Sequence, residues 1–285
     1  MLYLLLAIMF TTTIMLLFKL FDRYKVDNLV AITVNYAVAA CFGFFLSPVR
    51  MSPATIIGQP WFWVALAAGA SLIITFLIYA LSTQKVGIAI SAVTGKMSAV
   101  IPVMIGILMF RESMNALKII GVILALVAFW LTFKKEKAGK IEWKYLFLPF
   151  LLFVGNGAND SLFKIAQAWY IPNENITFFL ACTFGISLLM GLLVLVIRII
   201  IKKKWPDIKS IIAGILLGLA NWGATYFFFL GLTNFDISVF VPVFNVSIVI
   251  LSALSGLLLF REKLRLINWI GIASAVAAIL LIAFS

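Results

Sequence analysis

Ten apolar runs of membrane-spanning length follow one another along this chain, separated by short polar turns. A helix rises 1.5 Å per residue, so about 20 apolar residues cross the ~30 Å hydrocarbon core of a bilayer. Backbone polar groups must pair internally in lipid, and the alternation of a barrel strand is missing, so the runs predict helices. The predicted fold is an all-α integral membrane protein with ten transmembrane helices, at residues 2–20, 28–47, 61–83, 88–110, 115–133, 145–169, 176–200, 208–232, 237–260 and 266–284.

Composition excludes several other classes of protein. The chain is 65% hydrophobic and 11% charged, so most of it cannot face water. It has no histidine, and its two cysteines lie inside apolar runs, so a zinc site or a histidine-based catalyst lacks the necessary side chains. No glycine-rich phosphate loop and no nucleophile–base pair is evident, which predicts no enzymatic activity, no cofactor and no direct use of ATP. The first run follows Met1 without a basic leader, so we interpret it as a span and not a signal peptide.

An internal duplication is visible in short motifs. Gly106–Glu112 (GILMFRE) recurs as Gly256–Glu262 (GLLLFRE) at an offset of 150 residues, and Ile120-Gly121 meets Ile270-Gly271 in the same register. Repetition at a fixed offset indicates a repeat architecture. We therefore predict a first five-helix repeat at 1–133, a basic linker at 134–144 and a second five-helix repeat at 145–285. Five is an odd number, so the second repeat enters the membrane inverted relative to the first.

Lys96 is the most conspicuous residue of the fourth run. It lies roughly 16 Å along the helix axis from Lys85, about half of the hydrocarbon core. A charge at that depth costs at least ~2.5 kcal/mol, so it normally faces a cavity or a partner. Snorkelling to the interface is the alternative, but a lysine stem covers only part of the depth. We predict that Lys96 binds substrate.

A second polar patch interrupts the sixth run, at residues 155–161 (GNGANDS). Glycine-broken, polar stretches of this kind point to transporter sites, so Asn156, Asn159 and Asp160 are candidate ligands of a substrate. For Asp160 three roles are open. It forms a local i,i+4 pair with Lys164, it faces a cavity as a proton-coupling carboxyl, or it pairs with Lys96 across the repeat interface.

Other polar or aromatic side chains inside the runs are candidates for substrate binding. Asparagines in such positions also serve as hydrogen-bonded contacts between helices, worth ~0.6 kcal/mol on average, and the tyrosines also suit packing. Asn245 is singled out because it occupies the position equivalent to Gly95, beside Lys96 in the other half. The candidates are Asn35, Tyr79, Asn221, Trp222, Tyr226 and Asn245.

Two ladders of small residues occupy equivalent positions in the last helix of each repeat. They are Gly121-Ala125-Ala128 and Gly271-Ala275-Ala278. Small residues let helix backbones approach closely in a membrane. The ladders predict close packing, either within one chain or between the two copies of a homodimer.

Basic residues are distributed unevenly between the loops, which predicts orientation. Loops after odd-numbered spans hold sixteen of them, and loops after even-numbered spans hold three. The positive-inside rule then places the odd loops in the cytoplasm and both termini outside. The same distribution explains the net charge of +12 without nucleic acid, and predicts contact with lipid headgroups. The sixteen are Arg23, Lys25, Lys85, Lys134, Lys135, Lys137, Lys140, Lys144, Arg198, Lys202, Lys203, Lys204, Lys209, Arg261, Lys263 and Arg265.

Two five-helix halves, each with a charged turn that ends in glutamate before its last helix, resemble the EamA-like members of the drug/metabolite transporter superfamily. The resemblance covers essentially the whole chain and implies a ten-helix transporter. Members of the family often carry Glu-Pro in the middle of spans four and nine, where this chain has Gly95-Lys96-Met97 and Phe244-Asn245-Val246. They are also usually drawn with their termini inside, in conflict with the count of charges. No particular substrate is therefore implied.

Two functions follow from these observations. The first is a secondary transporter of a small polar or anionic metabolite, such as an amino acid or sugar, in a bacterial inner membrane. It would work by alternating access around Lys96, with Asp160 as a candidate for proton coupling. The alternative is a lipid-handling or flippase-like protein in which Lys96 binds a lipid phosphate.

Overall fold

Twelve helices make up the described part of the computed structural model, which covers residues 2–110, 115–133, 145, 147–171, 175–203, 205–232, 237–262 and 264–283. No strand occurs among these residues. The helices lie where the apolar runs predict them. They are α1 (Leu2–Arg23), α2 (Asn28–Leu46), α3 (Pro53–Ile57), α4 (Phe62–Lys85), α5 (Ile88–Met97), α6 (Val100–Phe110), α7 (Ala116–Phe133), α8 (Phe147–Trp169), α9 (Ile176–Lys202), α10 (Ile208–Leu232), α11 (Ile237–Phe260) and α12 (Leu266–Ala283).

Seven segments of the described residues are long and apolar enough to cross a membrane. One of them, Ile88–Met109, includes both α5 and α6, and two shorter apolar segments lie in α7 and α12. The polar patch of α8 explains why that 23-residue helix is not among the seven, because its glycines, asparagines and aspartate lower its hydropathy. The protein is therefore an integral membrane protein of helices.

Two differences from the sequence prediction concern helix boundaries. The fourth predicted span, 88–110, is divided into α5 and α6 at Ser98 and Ala99. The loop before the third span contains a short helix, α3, which begins with the Ser52 side chain accepting from Thr55 N and with Pro53 in its first turn. The first Phe-Arg-Glu motif ends at Arg111 and Glu112, and these two residues lie outside the described ranges, as does the linker 134–144.

The chain divides into two compact units by its internal contacts. Unit 1 consists of Met1–Leu20, Ile78–Gly157 and Gly223–Ser285, and unit 2 consists of Phe21–Leu77 and Ala158–Trp222. Each unit therefore takes helices from both halves of the sequence. The two predicted repeats are segments of related sequence, whereas the units are groups of helices in contact.

Unit 1 is built around the packing of α7 on α12. Ala125 and Ala128 of α7, together with Ala275 and Ala278 of α12, have at most 1% of their surface exposed and share one apolar cluster. A Cβ added at Gly121 would lie 2.7 Å from Ile282 Cγ1, so the two helices touch along their small residues. The prediction that these ladders support close packing is confirmed within one chain.

Unit 2 is held together at one end by Asp27. Its carboxylate accepts from Leu29 N and Val30 N at the start of α2, and it also accepts two bonds from Arg198 Nη1 of α9, at 2.7 and 2.9 Å. The Asp27 N–H donates to Ser210 Oγ of α10 at 2.8 Å. One residue thus joins the ends of three helices, in addition to the long contact of α2 with α9.

Candidate functional site

The interruption between α5 and α6 has a local cause in the sequence. Pro102 has no N–H to donate to the carbonyl of Ser98, four residues earlier. Instead, Ile101 N donates to Ser98 O at 2.9 Å, and Ala99 N donates to Lys96 O at 3.3 Å. The Ser98 hydroxyl donates to Gly95 O at 2.6 Å. A proline in the fourth run predicts a kink at Pro102. The structure has the interruption one turn earlier, and Lys96 lies in the last turn of α5.

The Lys96 ammonium lies over an aromatic ring of α11. Its Nζ is 5.1 Å from the centroid of Phe244, which is 7% exposed. The Phe228 ring lies 4.9 Å from that of Phe244. A cation over the face of an aromatic ring is attracted by its quadrupole, by about 0.5–2 kcal/mol depending on desolvation. Phe244 therefore contributes to holding a charge within a membrane-length segment.

Gly95, the residue before Lys96, is in close contact with two predicted site residues. A Cβ added at Gly95 would lie 3.0 Å from Asn156 Nδ2 and 3.5 Å from the Tyr79 hydroxyl. Tyr79 comes from α4 and is positioned partly by the Phe18 ring, 5.9 Å away. Asn156 comes from the polar patch of α8, and both side chains are half-buried. A side chain larger than hydrogen at residue 95 would displace this amide.

We call Tyr79, Gly95, Lys96, Asn156 and Phe244 the Lys96 cluster. All five belong to unit 1. The cluster offers a cation, an amide, a phenol and an aromatic face beside a break in a membrane-spanning segment. An ammonium attracts a carboxylate or phosphate, an amide both donates and accepts, and an aromatic face suits an apolar body. The chemistry suits a small polar or anionic organic molecule.

The other two predicted residues of unit 1 are differently placed. Asn245 is half-buried in α11, next to Phe244 in the sequence. Tyr226 is 43% exposed, and its ring meets that of Phe227 edge-on at 5.4 Å. No described contact joins either residue to the Lys96 cluster, so their part in a site stays a prediction.

Asn35 is the most unusual predicted residue of unit 2. It lies in the middle of α2 and is completely buried, and neither its Nδ2 nor its Oδ1 has a hydrogen-bond partner within the described residues. The adjacent Tyr36 is 1% exposed, and its hydroxyl also lacks a partner there. Buried polar groups are almost always hydrogen-bonded, so these two groups call for an explanation such as bound water or ligand.

The remaining predicted residues of unit 2 have varied surroundings. Asn159 is 4% exposed, and its Oδ1 lacks a partner among the described residues. Asp160 is exposed and Asn221 is half-buried. The Trp222 ring stacks on Phe42 at 6.1 Å and lies near Gly43. The structure thus brings Tyr79 and Asn156 against Gly95, the residue before Lys96. It shows no common site for the five predicted residues of unit 2 among the described contacts.

Sequence reasoning did not identify Phe244 as a site residue. It treated Phe244 only as part of the segment that replaces the family's Glu-Pro. In a chain with 26 phenylalanines, the identity of one of them carries little information. The available signal was its position beside Asn245, the residue equivalent to Gly95.

A membrane-spanning helix that breaks beside a half-buried cation and an amide is typical of membrane transporters. Residues 143–284 belong to the EamA-like transporter family, which places the chain in the drug/metabolite transporter superfamily. Members of this family are transporters, which supports a role other than catalysis.

Two further proteins are similar along nearly the whole chain. An uncharacterized protein of Haemophilus influenzae (strain ATCC 51907 / DSM 11121 / KW20 / Rd) is 26% identical over 284 residues, or 96% of this chain and 94% of its own length. A protein of known crystal structure has a TM-score of 0.62 at 15% identity and covers 98% of this chain and 94% of its own. The second similarity concerns the fold alone.

Proposed function

We propose that this protein is a secondary transporter that carries a small polar or anionic metabolite across a bacterial cell membrane by alternating access. The observation that carries the proposal is the Lys96 cluster. It places a cation, an amide and a phenol at a broken segment of membrane-spanning length. Discontinuous helices of this kind form the substrate sites of many transporters. Lys96 binds an acidic group of the substrate, and Asn156 and Tyr79 bind its other polar groups.

We further propose that the chain has ten spans in two inverted repeats. Counting α5 with α6 as one span, and omitting the five-residue α3, leaves ten described helices. The helix contacts support a symmetric arrangement. Within unit 2, α2 packs on α9, and within unit 1, α5 packs on α11 and α7 packs on α12. Each pair joins the helices with the same place in the two repeats, as a pseudo-twofold axis requires.

Asp160 is the proposed proton-coupling carboxyl. Asp160 belongs to the polar patch of α8, and a carboxylate in a transporter helix is a common site of proton coupling. Its pairing with Lys96 or with Lys164 stays a prediction. Exchange of charges in Lys96→Asp/Asp160→Lys tests the first pairing. Recovery of a function that each single substitution abolishes would support it.

A thermal-shift screen tests the proposed function directly. Purified protein is heated with amino acids, sugars, organic phosphates and lipids, beside Lys96→Met, which removes the charge and keeps a stem of similar length. A ligand at 100 times its Kd stabilises the native state by about 2.7 kcal/mol and raises its Tm. Lys202→Ala is the matched control, because Lys202 is an exposed lysine at the end of α9.

The outcomes separate the alternatives. A soluble metabolite that raises the Tm of the wild type and of Lys202→Ala, but not of Lys96→Met, supports a transporter with Lys96 in its site. A shift with lipids alone, lost in Lys96→Met, would replace this proposal with a lipid-handling role. A shift that Lys96→Met retains would remove Lys96 from the site.

A further inference from the structure

The carboxylate of Glu262, in the turn between α11 and α12, lies at the N-terminus of α5. Its Oε1 and Oε2 accept from Ile88 N at 3.0 and 3.1 Å. Arg261 has a left-handed backbone, with φ of 51°, and the N–H of Glu262 donates to Gly256 O at 2.8 Å. This turn directs the Glu262 side chain back over Gly256 of α11 and onto the start of α5.

Helix α5 has no N-terminal cap of its own. Its N-cap residue is Gly87, which has no side chain to accept from the first N–H groups. A helix start leaves its first N–H groups without intrahelical partners, and it favours a negative charge. Glu262, 174 residues further along the chain, supplies both an acceptor and a charge.

Lys19 fixes the carboxylate from the other side. Its Nζ lies 3.0 Å from Glu262 Oε1 and donates to Thr83 O, near the end of α4, at 3.2 Å. The side chains of Lys19 and Glu262 are only 20% and 13% exposed. A charge-assisted, largely buried contact of this kind is stronger than a surface ion pair.

Two glycines leave the space that the carboxylate occupies. A Cβ at Gly256 would lie 2.6 Å from Glu262 Oε2, and a Cβ at Gly87 would lie 3.0 Å from the same atom. Both positions would bring a side chain against the carboxylate. The Ile88 N–H, the Lys19 ammonium and the two glycines therefore together fix the position of the Glu262 carboxylate.

We propose that Glu262 is a positioning residue, which fixes the start of α5 and thereby sets the position of Lys96 at its other end. Helix α5 has only ten residues, so its two ends are about 15 Å apart along the axis. A short, stiff helix transmits a displacement at its start to its last turn. This inference rests on the proposed function in one respect, which is that Lys96 binds substrate.

The test measures the position of residue 96 without a substrate. In a background of Lys96→Cys, Cys41→Ser and Cys182→Ser, the rate of reaction with N-ethylmaleimide reports the surroundings of residue 96. We expect Glu262→Ala to change this rate at least threefold, and Glu262→Gln, which keeps an acceptor, to change it less. Hydrogen exchange at the Ile88 amide should rise about fivefold in Glu262→Ala, as for the loss of a helix cap.

Asp27→Asn is the matched control. Asp27 also caps a helix and pairs with a cation, but it does so at α2 in unit 2. Asp27→Asn keeps a capping acceptor but removes the charge that pairs with Arg198, so it should destabilise unit 2 and leave both α5 and the labelling of residue 96 unchanged. Should Glu262→Ala fail to fold, Lys19→Met tests the same contact.

Three results separate this inference from the proposed function. Unchanged labelling of residue 96 in Glu262→Ala, with faster exchange at Ile88, would overturn the positioning role. An equal change of labelling in Asp27→Asn would also overturn it, because the effect would then follow from lost stability. A changed rate at residue 96, together with a screen in which no ligand binds, would retain the positioning role and contradict transport.

Discussion

Gly87 has a backbone conformation that few other residues adopt, with φ of +129°. It precedes α5, and its hydrogen faces the carboxylate of Glu262. Any L residue would be strained there, by about 1–3 kcal/mol. Glycine is therefore required at position 87, because the positive φ disfavours other residues and because the carboxylate of Glu262 leaves no room for a side chain.

We expect Gly87→Ala to destabilise the protein by about 1–3 kcal/mol. For a chain of this size each kcal/mol lowers the Tm by roughly 2–4 °C, which a thermal melt in detergent can measure. Gly58→Ala is the control, because Gly58 has an ordinary φ of −76° and a Cβ there would only make ordinary contacts. Equal losses in the two variants would contradict the assigned strain.

At the scale of single residues, the sequence predicted the unusual side chains and not their neighbours. Lys96 and Asn156 are identifiable because charges and amides are expensive in lipid and therefore rare in such runs. The contact of Gly95 with Asn156 and Tyr79 is not identifiable from the sequence, because it depends on how α4, α5 and α8 pack. The complete burial of Asn35 likewise follows from packing, which a single polar residue in an apolar run does not specify.

The break between α5 and α6 is the main structural feature at the scale of elements. Without Pro102 the residue at 102 could donate to Ser98 O and continue the helix through Ser98 and Ala99. A continuous helix would change the direction of the last turn of α5, which carries Lys96. Removal of the break should therefore raise the stability of the protein and weaken the binding of its ligand.

We expect Pro102→Ala to raise the Tm and to reduce binding of the ligand found in the screen. Pro102 lies in the first turn of α6, where proline costs little, but it would lie in the interior of a continuous α5–α6 helix, where proline is up to about 3 kcal/mol less favourable than alanine. The gain in stability is therefore expected to be a fraction of this value. Circular dichroism and the thermal-shift assay measure the two effects. A variant with unchanged ligand affinity would show that the break does not shape the site.

Packing of α7 on α12 gives a second prediction at this scale. Ala128 is completely buried against α12, so Ala128→Leu should cost about 1–3 kcal/mol by overpacking. Ala116→Leu, at an exposed position of the same helix, should change the Tm little. The pair of melts distinguishes the interface from a general effect of leucine. Similar values for both would argue against tight contact at Ala128.

The prediction of an all-helical membrane protein is confirmed, because length and hydropathy decide whether a segment can cross a membrane. The ladders in α7 and α12 were recognisable because small residues recur on one helix face. The short helix α3 was not predicted, and the kink predicted at Pro102 occurs one turn earlier, at Ser98. Both depend on capping and hydrogen bonds of a few residues, which are weaker signals than an apolar run.

Orientation belongs to the whole molecule, and the distribution of basic residues predicts it. If the chain has the ten spans that we propose, the positive-inside rule predicts both termini outside the cytoplasm. Alkaline phosphatase fused to the C-terminus should be active, whereas green fluorescent protein fused there should be dark. Fusions after Lys140 should give the opposite pattern, since that loop carries many of the lysines. Fluorescence from the C-terminal fusion would contradict the orientation or the number of spans.

The division into units has a consequence for biosynthesis. Unit 1 joins the first helix of the chain to the last two, and Ser252 Oγ contacts Met15 Sδ across 237 residues of sequence. At about 5–20 residues per second, translation takes roughly 12–50 s to supply the partner of α1. During this time α1 lies in the bilayer without its final neighbours. A nascent chain stalled before Gly223 therefore lacks an entire segment of unit 1, and we expect it to be a substrate for membrane proteases.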